Sequence, residues 1–153
     1  AAQRRGVDLL RSAAGALGIT LHHATPRTAD DIDREVDALL ARKPQAVLVF
    51  DSATMLSRRR EITQKFLHTR VPAMFQSRGW TAVGGLFSYG AAIREEYRLL
   101  AAVVEKVLRG TPAGEIPVEQ ATKIELLINL RTAKSLGVNV PASMLIRADE
   151  VIE

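Results

Sequence analysis

The residues whose types could do chemistry collect where apolar runs end. Ala46-Val-Leu-Val-Phe50 runs into Asp51, Ser52, Ala53 and Thr54, and Val71-Pro-Ala-Met-Phe75 runs into Gln76, Ser77, Arg78, Gly79 and Trp80. A glycine-bracketed stretch, Gly84-Gly-Leu-Phe-Ser-Tyr-Gly90, carries Ser88 and Tyr89. An apolar strand followed by Asp is how phosphoryl-accepting carboxylates are presented. The hydrolases that use one place a second carboxylate two residues on as general acid. Ala53 stands at that place here, so an Asp51-dependent phosphotransferase or hydrolase lacks its partner group. Asp51 then reads either as a cap or turn former or as a ligand contact. Ser88 half-matches the Gly-x-Ser-x-Gly nucleophile elbow, but Leu86 occupies the first glycine position and no His follows His68.

Other constellations are weaker still. His22 and His23 are adjacent on an expected strand and face opposite ways, so the pair with His68 makes a poor metal site. Gly84-Gly85 matches neither dinucleotide nor phosphate-loop spacing, and no cofactor is expected. Arg58-Arg59-Arg60 sits beside Glu61 without interleaved aromatics, which is a solvated helix face rather than a nucleic-acid surface. Trp80, the single tryptophan, reads as a packing residue or as a stacking wall for a ligand. What survives elimination is a rim of neutral hydrogen-bonding groups, one carboxylate and a few aromatics at strand ends. Such a rim suits small-molecule binding and shows no catalytic machinery.

The elements that must position this rim follow from hydrophobic periodicity. Helices are predicted over 3–17, 28–42, 55–69, 92–108 and 130–136, with Gly18, Gly110 and Gly137 placed to end three of them. Thr28 with Asp31 three residues on forms a capping box for the second. Short strands are expected at 19–21, 46–50, 71–75, 116–120 and 124–129, the one at 46–50 buried on both faces. Alternating strands and helices predict an α/β fold with a parallel, doubly wound sheet. The 153 residues, 47% hydrophobic and 25% charged with a net charge of +4, exclude a disordered or fibrous chain. No cysteine is present, which removes disulfides and thiolate chemistry. No apolar run nears the roughly 20 residues that a membrane span requires. The order has one oddity: a helix comes first, with no strand before it and no signal-like apolar segment, which suggests a processed or cut end.

The strongest sequence feature lies in the last third. Ile116-Pro-Val-Glu-Gln120, Thr122-Lys-Ile-Glu-Leu-Leu-Ile-Asn-Leu130, Thr132-Ala-Lys-Ser-Leu-Gly137 and Arg147-Ala-Asp-Glu-Val-Ile-Glu153 together resemble the end of the ABC-transporter substrate-binding proteins of the tryptophan and tyrosine type. The segment Gly84 to Gly90 resembles that family's Gly-Gly-Leu-Met-Ser-Tyr-Gly, with Phe87 for Met. Ala121 for Pro, Ile124 for Phe and Arg131 for Lys are the departures. The likeness runs through essentially the whole chain and is weaker before residue 80.

This resemblance implies a type I periplasmic-binding-protein-like fold, in which two α/β lobes enclose a solute and close by a hinge motion. It implies that the chain corresponds to a C-terminal half. Residues 1–82 would be the second lobe, 83–90 an interlobe crossover and 91–153 a segment returning to the first lobe. The expected function is binding of an amino-acid-like or aromatic solute for an ABC uptake permease, in a periplasmic or other extracytoplasmic setting, without catalysis. Asp51, Ser52, Gln76, Ser77, Ser88, Tyr89 and Trp80 are the expected ligand-binding residues. A half cleft with exposed apolar surface should also form a homo-oligomer. A ligand-sensing domain of a regulator or receptor shares the fold and is the alternative from another class.

Overall fold

The computed structural model describes residues 2–117, 119 and 122–153. The chain divides into two compact units, Ala1–Lys43 and Pro44–Glu153. In the first, α1 (Ala2–Ala16) ends at Gly18, whose φ of +66° is the left-handed conformation that glycine adopts without a Cβ clash. Helix α2 (Ala29–Leu40) starts with the predicted capping box: the Thr28 hydroxyl accepts from the Asp31 N–H, and the Asp31 carboxylate accepts from the Thr28 N–H. Ile32 and Val36, one turn apart, are its buried positions. The strand expected at 19–21 does not form. Residues 19–28 carry no regular structure, and Ile19 and Leu21 are exposed.

The second unit is built on a five-stranded sheet of order β1-β2-β3-β4-β5. Its strands are β1 (Val47–Val49), β2 (Ala73–Phe75), β3 (Phe87–Ala91), β4 (Ile124–Asn129) and β5 (Glu150–Ile152). Pairs β1/β2, β2/β3 and β4/β5 are parallel, and β3/β4 is antiparallel, in register from Phe87↔Ile128 to Ala91↔Ile124. The α/β fold with a parallel sheet expected from the sequence is present, with one antiparallel pair, so the sheet is mostly parallel. Strand β1 lies at an edge, and burial there is one-sided: Val49 is buried while Leu48 and Phe50 are exposed. The lobe boundaries expected near 82 and 90 both fall within this unit, where β3 pairs with β2 on one side and β4 on the other.

The helix predicted over 55–69 is two helices, α3 (Ala53–Ser57) and α4 (Arg59–His68). They break at Arg58, where the Ser57 hydroxyl donates to the Thr54 carbonyl and the Arg59 guanidinium to the Leu56 carbonyl. Side chains that bond to backbone carbonyls compete with continuation of the helix. Helix α5 (Arg78–Thr81) follows β2. Helix α6 (Ile93–Leu108) fills the span between β3 and β4, and a short 3₁₀ turn covers Ala113–Glu115. Of the strand expected at 116–120, residues 118 and 120 lie outside the described residues, and Ile116, Pro117 and Glu119 carry no strand. Helix α7 (Leu130–Leu136) is capped by Asn129 at its start, and left-handed Gly137 ends it as the pattern predicted. Helix α8 (Ala142–Leu145) leads into β5.

The core of this unit gathers Ile62 and Phe66 from α4, Ala73 and Phe75 from β2, Trp80 from α5, Leu86, and Leu127 and Ile128 from β4. Aromatic packing dominates it. Phe75 lies parallel to Trp80 with ring centroids 4.6 Å apart, and Phe66 tilts against Phe75 at 6.3 Å.

Candidate functional site

Because β1, β2 and β3 are parallel, the segments after Val49 and Phe75 leave the same edge of the sheet, the edge at which open α/β sheets bind ligands. Two hydrogen bonds tie these segments together. The Trp80 indole Nε1–H donates to Asp51 Oδ1 at 2.7 Å, and the Asp51 backbone N–H donates to Gln76 Oε1 at 2.9 Å. Three of the seven expected site residues, far apart in the chain, therefore form one contact cluster.

The other four divide. Ser52 is the N-cap of α3, its hydroxyl accepting from the Met55 N–H at 3.1 Å. Ser77 occupies the corresponding position before α5 but makes no cap bond with its side chain. Ser88 and Tyr89 are neighbours on β3 and face opposite ways, as strand geometry requires. Ser88 is buried with no partner for its hydroxyl among the described residues, while Tyr89 is half exposed. Trp80 is wholly buried and stacked on Phe75, so its ring faces protein and the indole serves the site through its N–H.

The glycines of the Gly84–Gly90 stretch now have a physical reason. A Cβ on Gly90 would fall 1.9 Å from the Gln76 carbonyl oxygen, and one on Gly85 would fall 2.8 Å from the Trp80 carbonyl. Both are distances that real Cβ atoms do not tolerate, so β3 at Gly90 can press against the Gln76 backbone, and Gly85 before it against the Trp80 backbone, only where side chains are missing. Sequence reasoning picked out this segment as a crossover. Its role in holding the rim was not visible there, although glycine in an apolar extended stretch is a signal for close backbone approach.

Arg78 stands in the strand-end rim of the sequence but not among the seven expected binding residues. Its guanidinium donates to Glu150 at 2.8 Å and lies 3.7 Å from Glu125, so it fastens the loop after β2 to β5 and β4. The histidines do not assemble into a site. His22 Nδ1 meets the Arg42 guanidinium at 3.2 Å beside an open cavity of about 470 Å³ in the first unit, and no group of metal-ligating side chains occurs among the described residues. In the arginine run, Arg58 pairs with Glu61.

The sheet, the cluster and the sequence blocks converge with one further comparison. The model of the ABC transporter substrate binding protein family matches residues 1–152. The chain belongs to that family. Solved structures agree in fold. A conserved domain protein from Vibrio cholerae matches with a TM-score of 0.86 at 23% identity, over 97% of this chain and 50% of that one. An ABC domain from Streptococcus pneumonia, solved in complex with L-Trp, matches with a TM-score of 0.86 at 22% identity, over 98% of this chain and 50% of that one. A ligand-free, open substrate binding protein with adhesive properties from Clostridium difficile matches at 0.66 and 17% identity, over 98% and 50%. The chain thus spans about half the length of these solved structures. No curated protein matches by sequence. No described helix is long and apolar enough to cross a membrane.

Proposed function

We propose that the chain is the part of an ABC-type solute-binding protein that supplies one wall of the ligand cleft, and that it acts by binding rather than catalysis. The observation that carries this is the Asp51, Gln76 and Trp80 cluster at the carboxyl edge of the parallel strands, in a chain whose family membership covers residues 1–152. One oxygen of Asp51 is held by Trp80, which leaves the second as a charge-assisted acceptor for the amine of a small, amino-acid-like or aromatic solute. Tyr89, half exposed, offers an apolar wall. Ser52, Ser77 and Ser88 support the rim more than they line it in this arrangement.

In the same reading, the sheet-forming residues on either side of α6 make up one lobe, and the returning segment expected over 91–153 narrows to the stretch around α6. No residue of α6 is buried, which fits a helix whose partner is another lobe. The partners are the solute and an ABC permease, and the setting is periplasmic or otherwise extracytoplasmic. Presented alone, the chain self-associates through its uncovered apolar surface.

The test is equilibrium binding. Titration of the ¹⁵N-labelled chain with millimolar L-tryptophan, the solute of the streptococcal structure, should shift backbone signals of Asp51, Gln76 and Tyr89. Asp51→Ala should abolish those shifts. Undiminished affinity in Asp51→Ala would show that the carboxylate is not the amine contact.

A further inference from the structure

We propose that Gln76 is a specificity-determining residue of this site, presenting its side-chain NH₂ group to the carboxylate of a solute. The inference rests on the solute-binding reading above and adds to it the part of the solute that Gln76 recognises.

The orientation follows from which atoms can donate. A backbone N–H only donates, so the amide atom 2.9 Å from the Asp51 nitrogen is the oxygen, Oε1. That bond leaves the two donors of Nε2 directed elsewhere, and Nε2 has no hydrogen-bond partner among the described residues. Gln76 is exposed, so the donors meet solvent.

The backbone of Gln76 is held in place as well. Strand β3 lies so close at Gly90 that a Cβ there would sit 1.9 Å from the Gln76 carbonyl oxygen and 3.5 Å from Gln76 Cγ. The residue is therefore anchored through its backbone beside β3 and through Oε1 at the Asp51 N–H, before any ligand arrives. Such preorganisation lowers the ordering cost of binding.

Charge narrows the ligand group. Arg78, the cation two residues further on, is already engaged by Glu150 and Glu125, and is a poor candidate for a solute carboxylate. Gln76 then supplies the donors, next to a negatively charged acceptor on Asp51. A donor pair beside a carboxylate complements a carboxylate beside an ammonium, and it discriminates against amines that lack the acid group.

The probes are L-tryptophan and tryptamine, which share ring and amine and differ by the carboxylate. In the ¹⁵N-labelled chain, the Gln76 side-chain NH₂ signals should shift with L-tryptophan and stay in place with tryptamine. Gln76→Glu keeps an acceptor for the Asp51 N–H and replaces the donors by carboxylate oxygen. It should weaken L-tryptophan by about tenfold or more and leave tryptamine unweakened. Equal weakening of both probes, or equal shifts of the Gln76 amide with both, overturns the proposal while the solute-binding reading stands. If neither probe shifts any signal, that reading fails and the role of Gln76 falls with it. The wild-type amide shifts decide the matter even if Gln76→Glu does not fold.

Discussion

The indole N–H of Trp80 donates to Oδ1 of Asp51 while the same ring lies flat against Phe75, so one buried side chain joins the core to the candidate site. Asp51 is only partly buried, and the bond to Trp80 fixes its rotamer from the protein side. A carboxylate held in this way keeps its other oxygen in one place for a ligand. The single tryptophan is consequently a positioning residue, and its emission should report on Asp51.

Trp80→Phe removes the donor and keeps an aromatic ring against Phe75. A hydrogen bond to a charged acceptor contributes about 1.5–3 kcal/mol. The expected loss of stability is of that order, roughly 2–3 kcal/mol once the smaller ring is included. Asp51→Asn should cost less, because the amide oxygen still accepts. Urea unfolding of the two variants checks the order, and a larger loss in Asp51→Asn would contradict it.

Gly90→Ala tests the close approach of β3. The added methyl would meet the Gln76 carbonyl oxygen at 1.9 Å, and backbone cannot rotate away as a side-chain tip can. Overpacking of this kind typically costs about 1–3 kcal/mol, and values at or above the upper end are expected here. The same variant should disturb the amide signals of Asp51 and Gln76. By contrast Gly79→Ala, where a Cβ meets nothing within 4 Å, should leave both stability and those signals nearly unchanged.

Much of the local structure was legible in the residues. Thr28 with Asp31 before α2 and Gly137 after α7 are short-range signals, and each acts as its chemistry predicts. The parts that were not legible depend on distant partners. Ile19 to Leu21 has strand-like residues, yet a strand exists only when another pairs with it. Ser88 and Tyr89 looked like one contact pair, and only the register of β3 against β2 and β4 decides which faces the interior. Trp80 was readable as either packing or stacking, because nothing local says that Phe75 and Asp51 will converge on it. The anchoring role of Arg78, a rim residue by sequence, was not legible for the same reason: its partners lie 47 and 72 positions away, at Glu125 and Glu150.

The capping box of α2 gives a pH prediction. The Thr28 hydroxyl and then the Arg34 guanidinium hold the Asp31 carboxyl below its ordinary value. A carboxylate with a lowered folded pKa adds stability that is present above its unfolded pKa of about 4, and that is lost as pH falls through the folded value. Asp31→Asn should therefore weaken the helical signal of the first unit at neutral pH and have progressively less effect below about pH 4. Thr28→Ala should cost about 1 kcal/mol of helix stability. Circular dichroism of both variants across pH checks the sign, and an effect of Asp31→Asn that grows on acidification would reverse it.

The outward face of α6 gives the last prediction. Ile93, Tyr97, Leu100, Val104 and Val107 repeat at intervals of four and three residues, the spacing of a single apolar stripe, and each is more than 40% exposed. The half-buried positions of the helix, Glu95, Leu99, Val103 and Lys106, are a different and less apolar set. The most apolar stripe of a well-formed helix of 16 residues therefore has no cover among the described residues. Exposed apolar area of this kind drives association. The chain by itself should sediment as an oligomer whose size depends on concentration. Replacing Leu100 and Val104 by Lys puts two charges in the stripe without disturbing a buried residue, and should yield a monomer with an unchanged helical spectrum. A wild-type chain that sediments as a clean monomer would contradict self-association, and an oligomer that survives Leu100→Lys with Val104→Lys would place its interface elsewhere.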